Sequence, residues 1–318
     1  MKVLFVTNNF PTEHHPVFGI FVKEQMGSLS DLGVNTEVLF MNSREQGKIA
    51  YLKGLFRLIK HLNRNKYYIV HCHHSYSAVI FVASGKFFRQ KCLLSYQNDP
   101  ENEGGMILFR ILYAFFDMII FKNKSSQLYR SKTAYLPNGV NTDFFVPRDK
   151  TFCKRHLGLD EKKRYIIFMD SYNLRTQKRV DRFNEVIRIL REKYGLADIE
   201  PLILTNTERS LIPYYFCASE LHLLTSDFEG SPNSVKECIA CNTPVVSTPV
   251  GNVADMIGDI NGSHVSRTFE AEELAELVNE TLSCDGYSSR EFIGIKGLDI
   301  STVGRKLLDI YANILAQK

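Results

Sequence analysis

The sequence predicts an α/β protein with two doubly wound domains, each built on a parallel sheet. Three observations lead to this fold class. Short apolar runs typical of buried parallel strands alternate with longer segments of helical periodicity. At 318 residues, the chain exceeds what one hydrophobic core usually supports. The alternation restarts after residues 136–150, which contain two prolines and an Asn-Gly turn signal typical of a linker.

The amino-terminal half is predicted to contain six strands and four helices. The strands are the apolar runs 3–6, 36–41, 68–71, 91–96, 117–121 and 133–136. The helical stretches are 18–32, which ends at Gly33, then 51–62, 77–88 and 106–116. Ligands are expected at the carboxyl ends of the strands in a sheet of this kind.

A second series of strands and helices follows the linker. Its strands are 164–169, 202–205, 221–225 and 243–247, and its helices include 180–194 and 270–282. We therefore predict one domain over residues 1–143 and another over 144–318. The last helix, about 301–316, is a candidate to pack back on the first domain.

Composition describes an ordinary globular protein. Apolar residues make up 44% and charged residues 23% of the chain, and the seven cysteines follow no regular framework, which favours a reduced cytoplasm over disulfides. The start MKVLFVTNN lacks the apolar core of a signal peptide, and no run is apolar enough to span a membrane. A cytoplasmic protein without a nucleic-acid partner is expected.

The stretch EGSPNSVKE, bracketed by Glu229 and Glu237, is the most informative motif. Ser231 is predicted to cap a helix and Pro232 to occupy its first position. No Glu or Gln follows the cap by three residues, so the first backbone N–H groups remain available for a phosphate or diphosphate. Glu237 lies roughly 7.5 Å further along, within reach of a ribose attached to that diphosphate.

The other side chains of the motif fit the same ligand. Ser231, Ser234 and Glu237 recur at a spacing of three and so share one helix face. Glu229 precedes the helix, where it can accept hydrogen bonds from a sugar. A nucleotide-sugar site is predicted, and the alternative is that both acids are merely solvated.

This segment resembles the E-x7-E signature of retaining family 4 glycosyltransferases. The resemblance implies a GT-B fold, with two Rossmann-like domains facing across a cleft. It also implies that Glu237 holds the donor ribose and Glu229 contacts the donor sugar. The diphosphate would lie along Gly230, Ser231, Pro232, Asn233 and Ser234. ECIACNTPVV stands where the family commonly has EAMACGxPVV, and PNGVNTDFFVP resembles the family linker, so the likeness covers both halves.

Two departures from the family pattern affect the predicted chemistry. Gln97 follows the strand 91–96, where the family commonly has a His, and a Gln cannot act as a general base. A front-face mechanism, in which the leaving phosphate takes the acceptor's proton, would not need that imidazole. Lys178 aligns with the family Lys, whereas Asn173 stands in place of the family Arg. Arg175 is the candidate to supply the missing charge on the diphosphate.

In the amino-terminal domain, Gly19 is a candidate for close approach to donor phosphate or acceptor; the alternative is a simple helix-start glycine. Gln97 is expected to contact the acceptor. The histidines do not form a convincing metal site, and no Asp-x-Asp motif occurs, so no metal and no cofactor are expected. The histidines considered for a metal site are His14, His15, His71, His73 and His74.

We therefore predict a retaining, metal-independent hexosyltransferase that uses a UDP- or GDP-linked sugar. Its catalytic candidates are Glu229, Gln97 and Lys178. By analogy with the family, its product belongs to cell-surface polysaccharide or glycolipid, and its acceptor is a lipid-linked saccharide. The alternatives are a GT-B nucleotide-sugar epimerase and a non-catalytic nucleotide-sugar-binding homologue. A Rossmann dehydrogenase is disfavoured, because no G-x-G-x-x-G follows the first strand.

A peripheral attachment to an anionic membrane surface is the last expectation. Residues 49–66 place four basic side chains near one helix face and five apolar side chains in a stripe. The basic group is Lys53, Arg57, Lys60 and Arg64, and the apolar group is Leu52, Leu55, Phe56, Ile59 and Leu62. The alternative is that the stripe packs on its own sheet and the basic face is only solvated.

Overall fold

The computed structural model describes residues 1–124, 131–170 and 174–317. The chain forms two compact units. Unit 1 comprises Met1–Gly139 and Ile300–Lys318, and unit 2 comprises Val140–Asp299. The chain therefore passes into unit 2 once and returns once. Each unit contains one parallel sheet, so the predicted class of two doubly wound α/β domains is confirmed.

Unit 1 contains a six-stranded parallel sheet in the order β2-β1-β3-β4-β5-β6. The central strands are buried on both faces, which explains why they read as continuous apolar runs. The strands are β1 (Lys2–Thr7), β2 (Asn35–Phe40), β3 (Ile69–His73), β4 (Lys91–Ser95), β5 (Met118–Phe121) and β6 (Thr133–Tyr135).

Helices cover both faces of this sheet. One face packs against α1 (Ile20–Asp31) and α13 (Ile300–Ala316), and its core includes Phe5, Leu93 and Leu307. The other face packs against α3, α4 and α5 through a separate core. The remaining helices of unit 1 are α2 (Ser43–Gln46), α3 (Ile49–Arg64), α4 (Ser75–Ala83) and α5 (Met106–Phe115).

Unit 2 contains a five-stranded parallel sheet in the order β11-β10-β9-β7-β8. The strands are β7 (Arg164–Asp170), β8 (Ile199–Thr205), β9 (Leu221–Leu224), β10 (Val245–Ser247) and β11 (His264–Val265). One face packs on α7 and α11, and the other packs on the helices around α8 and α9. The helices are α6 (Lys150–His156), α7 (Val180–Tyr194), α8 (Ile212–Ala218), α9 (Asn233–Ala240), α10 (Val253–Ile257), α11 (Ala271–Leu282) and α12 (Arg290–Ile295).

The observed elements differ from the predicted ones in a few places. The predicted helix over 77–88 spans Ser75–Ala83, because the chain turns at Gly85 with a φ of 66°. Helix α6 was not predicted and overlaps the predicted linker only at Lys150; the carboxylate of Asp149 caps it by accepting the Phe152 N–H at 2.7 Å. All seven cysteines carry free thiols. Among the described residues, no helix combines the length and apolar character needed to cross a membrane.

Candidate functional site

The start of α9 lies at the carboxyl end of β9, where the sequence predicted a ligand. The helix begins at Asn233, and Pro232 is the residue that precedes its first turn. The prediction that Ser231 caps this helix is therefore wrong. The Ser231 hydroxyl instead accepts a hydrogen bond from the Lys236 Nζ at 2.9 Å. No side chain caps the first turn, so its N–H groups keep the anion-binding character that the sequence indicated.

Lys236 lies beside the candidate site and was not singled out from the sequence. Its side chain is fully buried, and its ammonium also donates to the carbonyl oxygen of Ser231 at 3.3 Å. A buried lysine is rare unless it is paired. Both hydrogen bonds connect α9 to Ser231 in the loop that precedes the helix. Gly251 packs against the same loop so closely that a Cβ there would lie 2.4 Å from the Gly230 carbonyl oxygen.

The structure brings Glu229 and Lys178 together. The Lys178 Nζ lies 2.6 Å from a Glu229 carboxylate oxygen, and both side chains are largely buried. The Ser226 hydroxyl donates to the same carboxylate at 2.8 Å. Both members of the pair were predicted from separate motifs 51 positions apart. The chain thus holds a carboxylate and an ammonium group in contact in the segments that lead to α9 and α7, respectively.

Glu237 also has a basic partner. The Arg209 Nη1 donates to a Glu237 carboxylate oxygen at 2.7 Å, and the guanidinium lies 4.7 Å from the centre of the Phe145 ring. Arg209 was missed by the sequence reading, although it follows the carboxyl end of β8, where that fold class places ligands. A ribose bound to Glu237 would share this carboxylate with Arg209.

Arg175 lies after the carboxyl end of β7 and is fixed by a buried acid. The Asp170 carboxylate accepts hydrogen bonds from the Arg175 backbone N–H at 2.6 Å and from its Nε at 2.9 Å. The Asp170 side chain has no exposed surface. Arg175 is therefore a positioned cation rather than a freely solvated one. Asn173, predicted to stand where the family has Arg, lies outside the described residues.

Ser234 is turned toward the sheet by its hydrogen bonds. The carbonyl of Ile167 can only accept, so the His222 Nδ1 at 3.0 Å must carry the proton. Burial lowers the pKa of His222 to about 4, so the ring is neutral and its Nε2 accepts from the Ser234 hydroxyl at 3.0 Å. The hydroxyl proton of Ser234 is therefore used within the protein, and only the backbone N–H of Ser234 is left to bind a diphosphate. The neighbouring Asn233 Oδ1 is buried and has no partner among the described residues.

The predicted residues of unit 1 lie in a different environment. Gly19 precedes α1 with a φ of 65°, and a Cβ there would lie 2.3 Å from the carbonyl carbon of Asn9. The chain's own backbone thus accounts for this glycine. The Gln97 side chain contacts His73 Nδ1 at 3.4 Å and accepts from Asn138 Nδ2 at 3.2 Å. In the described parts of the chain, no three His, Cys, Asp or Glu side chains are grouped to hold a metal ion.

Part of the chain is similar in sequence to a known protein family. Residues 149–297, which lie within unit 2, match the family described as glycosyl transferases group 1. A probable sucrose-phosphate synthase of Thermosipho melanesiensis is 27% identical over 168 residues. That match covers 46% of this chain and 40% of the relative, so it spans less than half of either.

Solved structures extend the likeness to the fold of the whole chain. A sucrose-phosphate synthase from Thermosynechococcus elongatus has a TM-score of 0.81 at 13% identity, covering 100% of this chain and 99% of that one. Anabaena HepE in complex with UDP-glucose has a TM-score of 0.68 at 15% identity, covering 98% and 100%. An Escherichia coli protein bound with UDP-2-fluoro glucose has a TM-score of 0.74 at 11% identity over 100% of both chains. The fold of this chain is therefore GT-B.

Proposed function

From the match of residues in unit 2 to the group 1 glycosyl transferases, we propose that this protein is a retaining glycosyltransferase. It would move a hexosyl group from a UDP- or GDP-linked donor to an acceptor hydroxyl. The observation that carries the proposal is the pair of contacts beside α9, Glu229 with Lys178 and Glu237 with Arg209. The nucleotide sugars in two proteins of the same fold support this class of donor.

Each group of the site has a role in this reaction. The uncapped first turn of α9 and the cations Lys178 and Arg175 would hold the donor diphosphate. Glu237 would accept hydrogen bonds from the ribose hydroxyls, and Glu229 would contact the donor sugar. As the bond from the sugar C1 to the diphosphate breaks, negative charge accumulates on the leaving oxygen. Fixed cations beside that oxygen stabilise the charge without a metal.

The proton in this mechanism goes to the leaving group. The acceptor oxygen would bond to C1 on the face from which the diphosphate departs, and the leaving phosphate oxygen would take the acceptor's proton. Gln97 would therefore not need to be a base, which agrees with its amide chemistry. Unit 1 would receive the acceptor at the carboxyl edge of its sheet, where Gln97 lies.

Gln97 also supports a second candidate, a homologue that binds a nucleotide sugar without transferring it. One experiment separates the candidates. The protein is first screened by thermal shift against UDP- and GDP-sugars, since a ligand at 100 times its Kd stabilises by about 2.7 kcal/mol. The donor that binds is then incubated with and without saccharide acceptors, and products are resolved by mass and chromatography.

The outcomes of that experiment are distinct. A new glycoside with the donor's anomeric configuration supports the proposal, whereas binding with neither transfer nor hydrolysis supports the non-catalytic homologue. An isomeric nucleotide sugar formed without acceptor would indicate the epimerase. No stabilisation by any nucleotide sugar would contradict all three.

We further propose that unit 1 attaches to an anionic membrane surface, where the acceptor is carried by a lipid for surface polysaccharide or glycolipid synthesis. The apolar side chains of Leu52 and Phe56 on α3 are 54% and 66% exposed, beside the exposed Lys53, Arg57 and Lys60. Residues 43–115, from α2 to α5, contain eleven Lys and Arg against four Asp and Glu, although the whole chain has a net charge of only +4. Basic and apolar groups together favour an acidic lipid surface.

A further inference from the structure

Unit 1 contains a cluster of buried polar side chains at the carboxyl edge of its sheet. His73 ends β3, Gln97 follows β4, Lys122 follows β5 and Asn138 follows β6. Glu103 comes from the loop between β4 and α5. The Gln97 amide joins His73 and Asn138, at 3.4 and 3.2 Å, and so positions both of them. All except Gln97 are at least nine-tenths buried.

Most of these side chains keep a polar atom that has no hydrogen-bond partner in the described parts of the chain, although Glu103 Oε2 lies 3.9 Å from His74 Nε2. Among the described residues, no hydrogen bond reaches His73 Nε2, Glu103 Oε2, Lys122 Nζ or Asn138 Oδ1. The other Glu103 oxygen is used, because it accepts the backbone N–H groups of Gln97 and Asn98, each at 2.7 Å. A buried polar atom without a partner is costly, and native proteins keep such atoms mainly where a ligand or water meets them.

The charges of the cluster nearly cancel. Burial lowers the pKa of Lys122 to about 7 and raises that of Glu103 to about 8, while each group stabilises the other's charged form. Burial also places the pKa of His73 well below its usual value and lowers that of His74 to about 4, so both rings are neutral. The cluster therefore offers several hydrogen-bond donors and acceptors. Its basic and acidic side chains, Lys122 and Glu103, together leave it with little net charge.

We propose that Lys122, Glu103, His73 and Asn138 bind the hydroxyl groups of an uncharged saccharide and disfavour phosphorylated acceptors. The inference rests on the proposed glycosyl transfer, which requires an acceptor hydroxyl, and it adds the acceptor's class. A sugar hydroxyl both donates and accepts hydrogen bonds, so it matches a mixed set of groups. A phosphate would bring negative charge into a buried cluster whose one basic side chain, Lys122, has its pKa lowered to about 7 by burial, so little positive charge would meet it. An acceptor carried on a lipid fits the same site, provided that its saccharide end is neutral.

Ligand binding can be measured without a donor. Saturation-transfer NMR compares methyl glucoside and methyl galactoside with glucose 6-phosphate and galactose 6-phosphate, each at tens of millimolar. We expect the neutral glycosides to bind at least about tenfold more tightly than the phosphates. Lys122→Met and Glu103→Gln should each weaken glycoside binding by about tenfold or more. The matched controls Lys66→Met and Glu101→Gln change exposed residues of the same unit and should bind as the wild type does.

A thermal melt distinguishes a binding role from a structural one. Lys122→Met removes a buried cation for which the described residues supply no hydrogen bond, and the buried Glu103 can take up a proton once that cation is gone, so the Tm should change little while glycoside binding falls. A lysine that holds the fold together would lower the Tm when replaced.

Three results would overturn the assignment: sugar phosphates that bind as tightly as the glycosides, a Lys122→Met protein that binds glycosides normally, or no glycoside binding at all. UDP affinity, measured separately by calorimetry, reports on the donor site. Failure of the donor proposal would therefore appear there, with the glycoside results unaffected.

Discussion

Glu237 already has a protein partner at the carboxylate that is proposed to hold the ribose. Its carboxylate is mostly buried and bonded to Arg209, while the predicted ribose contact would use the same group. We expect Glu237→Ala to weaken UDP binding roughly ten- to hundredfold, since a charge-assisted hydrogen bond contributes about 1.5–3 kcal/mol. Calorimetric titration of UDP measures the loss. Glu276→Ala, an exposed acid on α11, is the control and should bind UDP normally.

An unchanged Kd for UDP in a folded Glu237→Ala protein would contradict the ribose role. Glu237→Gln keeps an acceptor oxygen but loses the charge, so its affinity should lie between those of the wild type and the alanine variant. A glutamine variant as weak as the alanine variant would mean that the charge, rather than the hydrogen bond, holds the nucleotide.

The second prediction at this scale concerns Lys178. Lys178→Ala should weaken UDP much more than uridine, because uridine lacks the diphosphate that the ammonium would contact. The variant also leaves the Glu229 carboxylate without its 2.6 Å partner, so the Tm should fall as well. Arg175→Ala should follow the same pattern with UDP. Lys193→Ala, on α7 and exposed, is the control.

Equal losses of UDP and uridine affinity in Lys178→Ala would indicate damaged folding rather than a lost phosphate contact. In that case, the double variant Lys178→Met with Glu229→Leu is informative. It removes both charges together, so it should regain stability without regaining UDP affinity.

Local sequence motifs identified the candidate site residues but not the side chains that pair with them. Glu229, Lys178 and Glu237 stand in recognisable local motifs, and in the structure each forms an ion pair within unit 2. Arg209 follows β8, Asp170 is the last residue of β7, and Lys236 looks like one more helix lysine. Their roles arise from contacts between distant segments, as with Arg209 and Glu237, which lie 28 positions apart. Periodicity and local motifs carry no information of that kind.

At the scale of elements, the sequence predicted strands best where both faces of the strand are buried. Strands such as β1 and β7, buried on both faces, appear as apolar runs and were found within about two residues. Helices α6 and α8 have seven residues each and were missed, because so short a segment shows little periodicity. The start of α9 was placed one residue early, since Lys236 rather than the helix backbone uses the Ser231 hydroxyl.

Helix α3 shows how a tertiary contact changes a predicted surface. Its buried residues are Ala50, Gly54, Leu58 and Leu62, so the predicted stripe splits between the core and solvent. Gly54 faces the Met41 side chain, where a Cβ would lie 2.5 Å from Met41 Cγ. Ile49, Leu52 and Phe56 consequently lie exposed beside the basic residues, which favours surface attachment over the alternative in which the whole stripe packs inside.

Vesicle co-sedimentation tests this face of α3. Wild-type protein should bind vesicles that contain phosphatidylglycerol, should not bind pure phosphatidylcholine, and should release as salt rises. Changing Lys53, Arg57, Lys60 and Arg64 to Gln should abolish most binding, since each basic group contributes about 1 kcal/mol. Leu52→Ser with Phe56→Ser should also weaken binding with little change in Tm, because both side chains are exposed.

Two results would contradict the membrane proposal. One is a fourfold Gln variant that sediments like the wild type, and the other is equal binding to neutral vesicles. Leu58→Ala is the contrasting change on the buried side of α3. It should cost about 2–5 kcal/mol of unfolding free energy without altering lipid preference.

At the scale of the whole molecule, the chain crosses between the two units twice. Helix α13 follows all of unit 2 in sequence but belongs to the core of unit 1. Its Tyr311 hydroxyl hydrogen-bonds to His71 Nδ1 at 2.7 Å, and Leu307 is fully buried against the sheet. The stability of unit 1 therefore depends on residues from both ends of the chain.

We expect Leu307→Ala to destabilise unit 1 by about 2–5 kcal/mol, the usual cost of a large cavity in a core. UDP affinity at 25 °C should not change, because the donor residues belong to unit 2. Differential scanning calorimetry and UDP titration measure the two effects. Lys306→Ala, at the exposed neighbouring position, is the control. A loss of UDP affinity in the folded variant would contradict the assignment of the donor site to unit 2 alone.

The return of α13 to unit 1 has a consequence for the protein during its synthesis. When residue 139 leaves the ribosome, the sheet of unit 1 is complete but one of its faces still lacks α13, one of the two helices that cover it. At roughly 5–20 residues per second, the ribosome needs about ten to thirty seconds to make unit 2 before that helix exists. During this time the nascent chain exposes an apolar face that chaperones would recognise. Unit 2, whose residues are continuous in sequence, can finish folding first, although it is made second.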